Sequence, residues 1–154
     1  MTLPSIAALV LAGITFYVGL YHFMIFMRLK KNRKDLAFSA LCLMIFFYEI
    51  FCAQLYSADT LEEGVFWQKR QFIALCAVGV CILWFVSEFI GRHHRRADLV
   101  FSCYWALQGL LILVEPDGWV FSDQESIKDL QFFGLLHFKC YEMLPGPLIN
   151  LQSL

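Results

Sequence analysis

Charge is scarce in this chain. Only 16% of its 154 residues are charged, where a water-soluble domain carries about a quarter. Set against 60% hydrophobic residues, that shortage excludes an ordinary soluble globule and points to lipid as the solvent. Signatures of catalysis are missing as well. There is no P-loop, no G-x-G-x-x-G, no H-E-x-x-H, no G-x-S-x-G and no phospho-acceptor histidine setting, so the chain is not expected to be an enzyme by itself. Internal repeats are absent, which argues against a duplicated transporter. Low-complexity tracts and linkers are also absent, so one domain is expected over 1–154. The six cysteines, Cys42, Cys52, Cys76, Cys81, Cys103 and Cys140, form no C-x-x-C pair. All but Cys140 lie inside apolar runs, where a thiol acts as a small hydrophobe. The formal net charge of −1 selects no partner, and nucleic acid is not expected.

What the chain does contain is four apolar runs, predicting spans over 4–27, 36–56, 72–91 and 98–114. About twenty apolar residues are needed to cross the hydrocarbon core. The third run is the clearest, because Phe72 to Gly91 holds a single ionisable residue, Glu88, near one end. The first is too long for the core of a secretory signal and has no basic segment ahead of it, so it reads as a retained span. The fourth is short, and Ala97 and Asp98 extend it, with tilt or snorkelling making up the rest. Gly13 and Gly19 do not make a small-xxx-small pair, although a glycine still lets a neighbouring helix come close. Gln108 and Gly109 near the centre of the fourth run suggest that this helix packs within a bundle.

Orientation follows from the links. RLKKNRK at 28–34 has five basic residues in seven, and RHHRR at 92–96 has three arginines. Cytoplasmic loops are enriched in Lys and Arg, which predicts both links inside and the N-terminus outside. Lys69 and Arg70 on the outer side are outnumbered.

Polar residues within the spans are the candidates for function. Glu49 lies in the second span, beyond its middle. A bare carboxylate there is expensive, so Glu49 is expected to be neutral, partnered or facing a wet cavity. A structural bridge to Gln54 or Tyr48 and a proton- or ligand-sensing role are both open. His22, near the basic end of the first span, reads as a satisfied interfacial histidine ahead of a metal or haem ligand, and no metal site is expected. Glu88 stands four residues before Arg92, the favourable order for an ion pair. Past Glu115 the sequence turns mixed. Pro116-Asp117-Gly118 stops the helix, and Leu130 to Leu144 is too polar and too short to cross again. Alternation around Phe138, Cys140 and Glu142 allows a strand or an interfacial hairpin on the outer side.

Trp67-Gln-Lys-Arg-Gln71, followed by an apolar helix ending Leu83-Trp-Phe-Val-Ser-Glu-Phe-Ile-Gly-Arg92, resembles the third helix of the seven-helix N-terminal sensor domain of bacterial histidine kinases and related signalling proteins. Pro145-Gly-Pro-Leu148 after a tyrosine resembles the short outer stretch before the fifth helix of that family. The resemblance implies that these spans are the first part of a larger seven-helix domain, lying in the inner (cytoplasmic) membrane of a bacterium. Family members continue into a cytoplasmic output domain such as a kinase or nucleotide cyclase.

The fold expected is an all-α integral membrane domain: four helices in an antiparallel bundle, with an outer segment over 115–154. The function expected is a sensory, signal-input module, with Glu49, Gln54, Tyr141 and Glu142 as candidate sensing residues and His22 and Glu88 as interfacial ones. The expected partners are the bilayer, an output domain or protein acting in cis or trans, an unidentified small ligand and, as an option, a second copy in a homodimer. No cofactor is called for. The alternative is a small four-helix redox or transport subunit in which His22 and Glu49 handle haem, quinone or protons.

Overall fold

The computed structural model describes residues 2–29, 32–91, 95–114, 121–132 and 136–146, the last two segments essentially as backbone. Four helices come first: α1 (Leu3–Arg28), α2 (Arg33–Leu55), α3 (Leu61–Ile90) and α4 (Arg95–Val114). Each is long and apolar enough to cross a membrane. A helix is the economical way for one segment to do so, since it satisfies its own backbone where no water can.

Local chemistry sets the helix ends. Thr2 caps α1, with Pro4 in the first turn, where its missing N–H costs nothing. Asn32 caps α2 by accepting from the Lys34 N–H, and Asp35 places a carboxylate in the first turn. Thr60 caps α3, and Gly91 closes it in the left-handed region at φ 70°. The predicted spans lie within or almost within these helices, but two boundaries differ usefully. The link between α1 and α2 shrinks to a few residues around Leu29–Asn32, putting Arg33 and Lys34 on the first turn of α2. α3 starts at Leu61, well before its apolar run. Its 30 residues correspond to about 45 Å against a core of about 30 Å, so its first turns stand beyond the hydrocarbon. The fourth helix reaches 20 residues, long enough to cross the hydrocarbon core.

The short links make neighbours antiparallel. α1 packs on α2, α2 on α3, and α3 on α4. Aromatic pairs mark the seams: Phe16 meets Phe46 at 5.1 Å, Phe38 meets Phe85 at 5.2 Å and Phe51 stacks on Trp67 at 6.0 Å between ring centres. Two glycines permit close approach. A Cβ on Gly19 would lie 2.8 Å from Cys42 Cβ, and one on Gly79 would meet the Trp105 ring at 2.7 Å. Gly13 faces open space, so of the two glycines noted in the first span only Gly19 serves packing. Gly109 is buried, near Cys76 on α3.

The C-terminal segment forms an antiparallel ribbon of β1 (Phe121–Phe132) and β2 (Leu136–Pro145). Lys128 pairs with Cys140 and Leu130 with Phe138, and the register is irregular between Phe121 and Glu125. The alternation seen after Leu130 thus belongs to the second strand. The first lies in 121–132, where charged and apolar residues mix too irregularly to announce it. β2 rests against α3. The domain is therefore helical in its membrane part and carries a two-stranded β-ribbon beyond it.

Candidate functional site

Glu49 has its partner on α1. Its Oε2 lies 3.0 Å from Thr15 Oγ1, and the same hydroxyl lies 2.8 Å from the Leu11 carbonyl oxygen. The expected partners were Gln54 or Tyr48. Tyr48 instead lies beside Gln71 of α3 and Cys52, and the Gln71 amide donates to Cys52 Sγ. Helical geometry explains the division: Gln54 is five residues from Glu49, about 140° around the helix, so the two do not share a face. Glu49 faces α1, whereas Tyr48 and Cys52 face α3. The signal pointing to Thr15 was its depth, since it and Glu49 stand about equally far from the basic link, on helices that must run antiparallel.

Hydrogen-bond stoichiometry gives this contact a specific property. A threonine hydroxyl carries one proton and can donate to one acceptor at a time. With Glu49 as a carboxylate, Leu11 O and Glu49 compete for that proton. With Glu49 as a carboxylic acid, its O–H can donate to Thr15, and Thr15 then donates to Leu11 O. The contact therefore has two arrangements, one proton apart, at the α1–α2 seam, and only the protonated one serves both acceptors at once.

Away from the basic links, Thr2 Oγ1 donates to the Tyr56 carbonyl at 2.8 Å and Ser57 Oγ to Ser5 Oγ at 2.7 Å, tying the start of α1 to the end of α2. Arg70 folds over the Phe66 ring, 3.2 Å from its centre, and bonds the Phe66 carbonyl. That contact lets a cation sit at an interface otherwise rich in aromatics.

At the basic end, His22 Nδ1 lies 3.0 Å from Asp35 Oδ1, with Phe38 edge-on to its ring at 4.6 Å between centres. It is a satisfied histidine, although its partner is a carboxylate of α2 rather than a headgroup or a backbone carbonyl. Lys34 Nζ bonds the Phe89 carbonyl near the end of α3 at 3.4 Å, as cations do at helix C-termini. Ser87 Oγ donates to Asp98 Oδ2 of α4 at 2.8 Å. Glu88 lines a cleft with Arg33 and Asp98, and its expected partner Arg92 lies outside the described residues. Tyr141 and Glu142 stand in β2, opposite Ile127 and Ser126. Thus Glu49 and Gln54 share a helix, and the other two sensing candidates belong to the ribbon on α3. Pro147 and Leu148 lie outside the described residues.

A row of membrane-crossing helices with polar contacts bridging its seams defines a multi-span membrane domain. Within that class, residues 4–149 match the family described as the N-terminal 7TM region of histidine kinase. The chain belongs to this family, which makes it a membrane signal-input region. No curated protein and no solved structure matches it.

Proposed function

We propose that the chain is the membrane-embedded input module of a bacterial signalling protein, with no catalytic step of its own, and that Glu49 is the group it uses to sense. The observation that carries this reading is the Glu49–Thr15–Leu11 contact, whose two arrangements differ by one proton or by a cation that takes its place. The basic links face the cytoplasm and the N-terminus faces outward. Glu49 then sits in the outer half of the membrane, within reach of outside pH or of a small cationic ligand. Switching the contact changes how α1 and α2 hold each other. Since α2 also packs on α3, the change biases helix packing toward the cytoplasmic side as a shift between two populations. An output domain, in cis or in trans, reads that shift.

The test is Glu49→Gln in a full-length chimera carrying a known output domain, with signal measured against outside pH together with protein abundance. Glutamine keeps the size and the hydrogen bonding while removing the titratable proton, so the pH response should vanish at normal abundance. An unchanged response at normal abundance eliminates the sensing role.

A further inference from the structure

The seam between α3 and α4 carries two adjoining clefts, one with a polar end and one apolar, which meet at Val80. The first, about 540 Å³, is lined by Arg33, Glu88, Asp98 and Ser102 against the Trp84 ring. The second, about 410 Å³, runs on between Ile73 and Ala106. Val80 lines both. Each volume falls in the range of ligand sites, roughly 300–1,000 Å³.

Length and charge identify the occupant. From Ile73 to Glu88 along α3 is about 22 Å at 1.5 Å per residue. Half of a bilayer with its headgroup layer is roughly 20–22 Å. The two clefts together therefore match one leaflet, with their polar end at the level of the basic links. Among the described residues that line this end, two carboxylates, Glu88 and Asp98, stand with one guanidinium, that of Arg33. Asp98 is held in place by the Ser87 hydroxyl at 2.8 Å, and a carboxylate retains further acceptor sites when one is used. Arg33 presents the planar fork that suits a phosphate. A primary ammonium can donate N–H to Glu88 and Asp98, whereas an anionic head without an amine brings them no cation and a trimethylated ammonium has no N–H to donate.

We propose that this pair of clefts binds a single phospholipid with a primary ammonium head, its phosphate on Arg33, its ammonium between Glu88 and Asp98, and an acyl chain along the groove toward Ile73. The site is separate from the Glu49 contact, so failure of the sensing role would leave it standing.

The full chain in nanodiscs of equal parts phosphatidylethanolamine, phosphatidylcholine and phosphatidylglycerol, with matched acyl chains, tests it by native mass spectrometry of retained lipid. The ethanolamine lipid should be enriched about tenfold, the scale of one charge-assisted hydrogen bond. Glu88→Gln should abolish most of that preference, and Arg33→Gln should lower retention of all three lipids. Ala106→Phe, which fills the groove from an exposed position, should also lower retention without changing the preference. Retention with no headgroup preference in the native chain, or a preference that survives Glu88→Gln, overturns the proposal. Helicity measured on each variant separates a lost site from a lost fold.

Discussion

At the residue scale, the seams are held by small contacts whose removal has predictable consequences. Gly19 has no room for a side chain beside Cys42, so Gly19→Val should separate α1 from α2 and lower stability by about 1–3 kcal/mol, the usual penalty of overpacking. Unfolding in mixed detergent measures it. Gly13→Val is the control, because nothing lies within 4 Å of a Cβ there. Thr15→Val removes the bridge to Glu49 while keeping shape. Polar contacts between helices in lipid average about 0.6 kcal/mol, so the stability loss should be small, and a lost pH response in the chimera would reflect the bridge itself. Glu49→Leu completes the set: where Glu49→Gln lowers abundance, Glu49→Leu should bring it back if the site is merely steric and fail to do so if the carboxyl is a hydrogen-bonding group. His22 and Glu49 stood out in the sequence because a titratable side chain in an apolar run is conspicuous. Their partners did not, since Asp35 looked like part of a charged link and Thr15 like an ordinary member of a span.

At the scale of elements, hydropathy locates what lies in lipid and is blind to helix that continues into water. The apolar run of the third span starts at Phe72, yet α3 starts at Leu61. The cue was present as Thr60-Leu-Glu-Glu63, the Thr-x-x-Glu pattern of a capping box. The Glu63 N–H donates to Thr60 Oγ1 at 3.3 Å, and Glu63 Oε2 accepts from the Asp59 N–H, one residue before the cap. Thr60→Ala should cost about 1 kcal/mol, concentrated in the first turn. Amide exchange over Leu61–Phe66 in nanodiscs should speed up by roughly fivefold, while the lipid-buried part of α3 stays protected. No change in exchange there would mean that packing against its neighbours, rather than the cap, holds this turn. The Gly79–Trp105 contact had no sequence cue, because it joins residues on different helices whose register is set only when α3 and α4 pack.

At the scale of the whole molecule, polar contacts at the basic end join all four helices in succession: His22 of α1 to Asp35 of α2, Lys34 of α2 to the Phe89 carbonyl of α3, and Ser87 of α3 to Asp98 of α4. The links beside them carry most of the positive charge in the chain, and that concentration is what made the topology readable without any structure. Insertion leaves clusters of Lys and Arg on the cytoplasmic side because moving them across the membrane is unfavourable. Reporters fused after Lys34 or Arg96 should therefore be active only in the cytoplasm, and those after Glu63 or Asp123 only outside. Four crossings bring the ribbon back to the side of the N-terminus, so the Asp123 fusion also tests whether α4 spans at all. An outside signal at Glu63 with a cytoplasmic one at Asp123 would show that α4 lies along the surface instead, and the α3–α4 clefts would then lose their place in the leaflet. The full reverse pattern would invert the molecule, turn Glu49 toward the cytoplasm and remove outside pH as the quantity it senses.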